Sequence, residues 1–263
     1  MMISHEVPYC LLNKSRYFND YDYGLVHLFE ESKEYFDFYH KSVELGRTVI
    51  LDNSVFELGT SFDTDRYAYW IEKLKPTQYI IPDVLGDKNG TLQECINWNK
   101  HYGHLPGIKI GVVQASTLKD AIDCYSMILG HVDKVAIGFN YKFYADLYPH
   151  ENKLMSWMRG RQIFIDKLID GGLVDNYRPH HLLGCSYMKE FEHYKEGYDF
   201  IESMDTSNPV VFTLKGHRCS RDGMDEKIST KLIEFMNIPA GVVDGSLLFE
   251  NLSTFRSFVK RYI

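Results

Sequence analysis

Thr48-Val49-Ile50-Leu51-Asp52 is a run of β-branched and aliphatic side chains that stops at a carboxylate. A parallel strand buried on both faces reads as such a short apolar run, and a polar residue at its C-terminal end lies at the mouth of the sheet, where α/β proteins place their sites. Working outward, the same pattern recurs in Tyr79-Ile80-Ile81-Pro82-Asp83, Ile110-Gly111-Val112-Val113-Gln114 and Phe200-Ile201-Glu202-Ser203-Met204-Asp205. Strand ends of this kind predict one pocket lined by acids and an amide.

Strand-like runs cover residues 8–12, 24–29, 48–52, 78–83, 109–114, 134–139, 181–186 and 198–204. Between most of them lie segments with apolar residues three and four apart, at 30–45, 65–74, 91–102, 118–129 and 189–195, which predict helices. Strand alternating with helix calls for a parallel sheet with right-handed crossovers, and this strand count and length match a single (β/α)8 barrel of the TIM type. The barrel is expected over about 8–206, with a C-terminal helical extension over about 207–263 in the same domain. Gly46 should close the helix before the third strand, Asp63 or Thr64 should cap the next helix, and Gly103 and Gly107 flank the loop before the fifth strand. The longest connection, 139–180, contains a helix-like segment at 162–169, and the extension carries helical stretches at 225–236 and 250–262.

At 263 residues and 44% hydrophobic content the chain can bury one sizeable core. Its formal net charge of -7 excludes a surface that is basic overall, so a nucleic-acid contact would need a local basic patch. Cys10, Cys95, Cys124, Cys185 and Cys219 are scattered without a C-x-x-C pair and read as thiols of a reducing compartment. No signal-like or membrane-spanning run is evident, and a cytoplasmic location is expected.

Taken singly, each strand-end residue has a plain structural reading. Asp52-Asn53-Ser54 and Asp83 suit turns or caps, and Asp205 in Ser203-Met204-Asp205-Thr206-Ser207-Asn208-Pro209 does so too, with Glu202 as a rival for any chemical role. Gln114 is more informative, because a buried amide must satisfy both a donor and an acceptor end. An amide beside two acids suits recognition of a heterocycle edge.

In order and spacing, Leu51-Asp52-Asn53-Ser54-Val55-Phe56, Ile81-Pro82-Asp83, Gly111-Val112-Val113-Gln114-Ala115, Val135-Ala136-Ile137-Gly138-Phe139, Leu182-Leu183-Gly184-Cys185-Ser186 and Met204 to Pro209 form a series. This series resembles that of the queuine (guanine) tRNA-ribosyltransferase superfamily over most of residues 48–210. At the first, third, fourth, fifth and last of these segments the family motifs read D-S-G-G-F/Y, G-I-V-Q-G-G, A-V/I-G-G, L-M-G-V-G and F-D-C-V-x-P-T. The resemblance implies base exchange, in which guanine leaves C1′ of a nucleotide and a 7-deazaguanine such as preQ0 or preQ1 replaces it. It implies Asp205 as nucleophile and Asp52 as general acid/base, a use of two carboxylates akin to that of retaining glycosidases. It further implies that Asp83, Gln114 and the Gly138 backbone read the guanine-like edge, and that Phe56 stacks on one face with Leu183 or a neighbour on the other. Ser54 would lie beside the bound base.

The departures bear on the polymer. The family's zinc site, C-x-C-x-x-C with a later His, is reduced here to His217 and Cys219, too few ligands for a closed tetrahedral site, so neither zinc nor another cofactor is expected. Ser54-Val55 and Ala115-Ser116 stand where the family has Gly-Gly pairs. A compact, zinc-less chain with a Ser-Met-Asp-Thr-Ser ending looks closest to the DNA-directed branch, found in bacterial genomic islands and phages. The expected partner is therefore DNA, with tRNA as the alternative, and the target nucleotide would be flipped out or single-stranded. Lys142, Arg159, Arg161, Lys215, His217, Arg218 and Arg221, interleaved with Tyr141, Phe143, Tyr144 and Trp157, are the candidate basic and stacking face.

Two other classes compete. A metal-dependent hydrolase would use Asp52, Asp83, Asp205 and His181 or His217, although Gln114 and Gly138-Phe139 occupy strand ends where such enzymes usually place histidines. A non-catalytic nucleobase-binding module would have no need of both Asp52 and Asp205.

Overall fold

The computed structural model describes residues 1–139, 141–185, 187–225, 228 and 232–261. Eight parallel strands form one sheet in the order β1-β8-β7-β6-β5-β4-β3-β2, curled into a nearly closed (β/α)8 barrel of the TIM type. They are β1 (Met2–Ser4), β2 (Asp22–Leu25), β3 (Val49–Asp52), β4 (Gln78–Ile80), β5 (Ile108–Val112), β6 (Lys134–Gly138), β7 (His180–Leu183) and β8 (Ile201–Asp205). The helices in chain order are α1 (Leu12–Ser15), α2 (His27–Glu31), α3 (Lys33–Glu44), α4 (Val55–Leu58), α5 (Thr64–Leu74), α6 (Lys88–Tyr102), α7 (Leu118–Ile128), α8 (Tyr144–Leu147), α9 (Lys153–Asp170), α10 (Asn208–Leu214) and α11 (Gly245–Lys260).

Most helix starts are written in the side chains that precede them. Ser32, Asp63, Asp87, Thr117, Asn152 and Asp244 each accept a backbone N–H in the first turn of α3, α5, α6, α7, α9 and α11. Gly46 follows α3 with φ +71°, as a left-handed stop requires.

The ladder runs from β1 through β8 back to β2, and side chains close the remaining seam. Asn19, just ahead of β2, donates from Nδ2 to His5 O at 3.0 Å and accepts from His5 N at 2.8 Å. Asp20 donates from its backbone N to Ile3 O and accepts from Ile3 N at 2.9 Å. An amide and a carboxylate thus satisfy backbone groups that a strand would otherwise pair.

The first strand corrects the sequence reading. Residues 8–12 form a 3-10 turn running into α1, initiated at Pro8, and Met2–Ser4 pairs with β8 in its place. Three residues are too short a run to stand out by pattern. β2 ends at Leu25, and the apolar continuation to Phe29 is helical because it dips into the core as α2. β8 extends to Asp205, which puts this acid in the strand itself. Of the expected helices, 189–195 is a 3-10 turn (Met188–Glu192), while 162–169 is the C-terminal half of the longer α9. Ser186, residues 226, 227 and 229–231 of the expected 225–236 helix, and Tyr262 lie outside the described residues. Leu252, Phe255, Phe258 and Val259 of α11 join the same apolar core as Ile3 and Val49. No described helix is long and apolar enough to cross a membrane.

Candidate active site

Asp52, Asp83, Gln114 and Asp205 are all buried at the C-terminal ends of their strands or just beyond, as a barrel mouth requires. Asp52 closes β3. Its Oδ2 accepts the Tyr23 hydroxyl at 2.5 Å and its Oδ1 accepts Ser54 N at 2.5 Å. Burial, reinforced by the charge of Glu57 on α4, raises its carboxyl well above the ordinary carboxylate range, against the pull of the Tyr23 and Ser54 donors. Asp52 is therefore biased toward its protonated form.

Asp83 is clamped by two amides: Asn53 Nδ2 donates to Oδ1 at 2.6 Å and Gln114 Nε2 donates to Oδ2 at 2.6 Å. Gln114 is oriented in turn by Gly86 N, which donates to its Oε1 at 3.0 Å. Burial pushes the Asp83 carboxyl up to about 6, less far than it would go without the two amide donors.

Asp205 closes β8, and its Oδ1 receives two groups from β7 and the loop after it. His181 Nε2 lies 3.1 Å away and Gly184 N donates at 3.1 Å. Gly184 has φ +69°, a conformation that turns its amide toward the acid and that a residue with a Cβ resists. Tyr23 links the two aspartates: its hydroxyl binds Asp52, and its ring stacks on His181 at 5.9 Å between centroids with 16° between planes. Glu202, three residues earlier, is directed elsewhere, because a register shift between β7 and β8 turns it to Lys134, 2.5 Å away.

The other expected contacts divide. Phe56 is 55% exposed on α4, next to the Asp52 strand end, so it lines the mouth rather than the core. Ser54 is buried in a left-handed conformation with φ 62°, and its Oγ accepts from His27 N at 3.3 Å, which ties it to the turn. Both backbone groups of Gly138 are engaged by tyrosines, its N with the Tyr141 hydroxyl at 3.0 Å and its O with that of Tyr144 at 3.1 Å. A base read through Gly138 would have to displace Tyr141. Leu183 is half-buried, with its carbonyl accepting from Arg161 at 3.1 Å.

Arg161 is a correction. It is fully buried, forks onto Glu190 through Nε at 2.7 Å and Nη2 at 2.8 Å, and donates to the carbonyls of Leu183 and Gly184. A guanidinium with every face occupied inside the protein reaches no phosphate. Tyr141, Phe143 and Tyr144 are likewise buried and pack on one another and on Phe164, so they stack in the core and not on bases. Lys142, Arg159, Lys215, His217, Arg218 and Arg221 are exposed; Arg218 pairs with Glu250 at 2.7 Å.

Around the acids, Asn53 and Gly184 stand inside the motif series without a role that the motifs assign, Tyr23 stands outside it, and His181 enters from sequence only as a metal-ligand candidate. His181, a polar side chain within the strand-like run 181–186, carries a local signal, whereas Tyr23 stands among polar residues ahead of the run 24–29 and carries none. Among the described residues, no three His, Cys, Asp or Glu side chains are arranged to hold a metal ion. No protein-family model and no curated protein matches the chain.

Proposed function

We propose that this barrel is a transglycosylase that exchanges guanine in DNA for a 7-deazaguanine through a covalent aspartyl–C1′ intermediate. The observation that carries the reading is the contrast between its two strand-end acids. Asp205 has one oxygen engaged by His181 Nε2 and the Gly184 amide, which leaves Oδ2 for attack, while Asp52 is biased toward the protonated form. Paired carboxylates in unlike environments are how nucleophile and acid are separated in glycosyl chemistry.

Asp205 Oδ2 attacks C1′ of the flipped nucleotide as the C1′–N9 bond breaks, and Asp52 gives its proton to the departing guanine. The incoming 7-deazaguanine then returns a proton to Asp52 as its N9 attacks C1′. The C1′–O bond breaks, the Asp205 carboxylate is restored, and two inversions leave the configuration at C1′ retained. Asp83 and Gln114 would read a guanine-like ring through the second lone pair of each clamped Asp83 oxygen and the second Nε2 proton of Gln114, beyond the bonds to Asn53, Gln114 and Gly86 that fix them. Exposed Phe56 at the mouth is placed to stack, and Lys142 in the loop after β6 can meet backbone phosphate.

The test is incorporation of radiolabelled guanine or preQ0 into double-stranded DNA, single-stranded DNA and tRNA. Uptake into DNA is expected, together with a denaturation-resistant protein–DNA adduct that Asp205→Ala abolishes and Glu202→Gln keeps. Uptake into none of the three polymers would sink the transglycosylase reading, and uptake into tRNA alone would move the substrate.

A further inference from the structure

Beneath the mouth, the barrel interior holds a hydrogen-bonded column that takes no direct part in the proposed exchange chemistry. Lys134, at the start of β6, is fully buried, and its Nζ meets Gln78 Oε1 at 3.1 Å, Glu202 Oε2 at 2.5 Å and Ser203 Oγ at 2.8 Å. Gln78, Lys134, His181 and Ser203 sit on strand positions that the parallel registers place on the inner face. Barrel interiors are normally filled by branched aliphatic side chains. A buried cation is a costly occupant of such a layer, and an apolar side chain would fill it without that cost.

The column has a direction. An ammonium carries three donors and no acceptor, so with Glu202 as its counter-ion Lys134 spends its three protons on its three partners, and Ser203 Oγ must accept. The single Ser203 hydroxyl proton is then available for His181 Nδ1, 2.9 Å away. Burial lowers the basicity of His181 despite the neighbouring Asp205, and a neutral imidazole carries one ring proton. With Nδ1 accepting, that proton sits on Nε2 and points at Asp205 Oδ1. The ring has little freedom to turn, since Tyr23 stacks on it and Tyr21 meets it edge-on at 6.3 Å.

We infer that Lys134 and Ser203 are positioning residues that hold His181 in its Nε2–H tautomer, so that Asp205 keeps Oδ1 saturated and presents Oδ2 to the reacting carbon. The second half of this inference rests on Asp205 being the nucleophile; the tautomer does not.

The test combines long-range ¹H–¹⁵N correlation spectra of full-length protein labelled at histidine with single-turnover formation of the DNA adduct. The His181 signals are identified by their loss in His181→Gln. In the parent protein Nδ1 should resonate as an unprotonated nitrogen and Nε2 as a protonated one. Ser203→Ala should turn this into a tautomer mixture and slow adduct formation roughly 2- to 10-fold, the range for losing one hydrogen bond. Ser203→Thr, which restores the hydroxyl, should recover both, and Lys134→Met should fall between. A proton on Nδ1 in the parent, or a Ser203→Ala protein with unchanged tautomer and rate, overturns the inference. The predicted tautomer and its response to Ser203→Ala in a protein that exchanges no base would leave the column standing and remove the transglycosylase.

Discussion

Burial raises the carboxyls of both Asp52 and Asp83, and at Asp83 the consequence for stability is measurable. Asp83 has its native pKa raised to about 6 by burial, above its value of about 4 in an unfolded chain. The native state then holds a proton that the unfolded state has lost between about pH 4 and pH 6. The group's contribution to stability is therefore lost as pH rises through that window, by roughly 2–3 kcal/mol in total, and stays lost above it. The carboxyl ¹³C resonance of Asp83 should titrate with a midpoint near 6, and a midpoint below about 4.5 would remove the effect. If the ionised form reads the incoming base, kcat/KM for that base should fall as pH drops below about 6. Asp83→Asn should abolish this limb along with most of the affinity. Under the proposed function the consequence at Asp52 is kinetic: Asp52→Asn should leave Asp205 able to attack but slow base exchange by about 10²- to 10⁴-fold, the range for loss of a general acid/base.

At the scale of elements, two glycines decide whether neighbouring segments meet. A Cβ at Gly160 on α9 would collide with the Cβ and Cα of Tyr144, so α8 can lie against α9 only because that position is bare. Gly160→Ala should cost about 3 kcal/mol or more by overpacking, read as a fall in the denaturation midpoint, whereas Gly130→Ala, whose Cβ meets nothing within 4 Å, should change stability by less than about 0.5 kcal/mol. Gly184 differs, since its Cβ would meet only Phe139 Cβ at 3.8 Å and the constraint is its φ of +69°. Gly184→Ala should cost about 1–2 kcal/mol and pull the amide off Asp205, so adduct formation should suffer more than folding. The helix caps were legible because Ser, Asp, Asn and Thr announce them locally; the absence of a side chain at Gly160 announces nothing until the partner helix is in place.

Across the whole molecule, the charges that fold the protein must be told apart from those free to meet a polymer. Arg161 and Glu190 form a buried pair that ties α9 to the turn after β7, so Arg161→Met should destabilise the protein by about 3–5 kcal/mol through the unpaired Glu190 and leave the salt dependence of DNA binding unchanged. If the proposed DNA substrate is right, Lys142→Ala and Lys215→Ala should instead leave stability intact and each lower the salt slope of DNA affinity by about 1, as loss of a phosphate contact does. Composition could not make this distinction, because an arginine in a helix reads the same whether its partner is solvent or a buried glutamate. The parallel barrel and the placement of Asp52, Asp83, Gln114 and Asp205 at its mouth followed from the sequence by itself, since strand runs and their polar ends are local patterns set by burial. Tertiary structure alone decided the three-residue first strand, the clamp of Asn53 and Gln114 on Asp83, the Tyr23–His181 link between the aspartates and the Lys134–Ser203–His181 column. Each of these depends on side chains brought together from distant parts of the chain, and which polar groups end up sharing a buried layer is fixed only when the barrel closes.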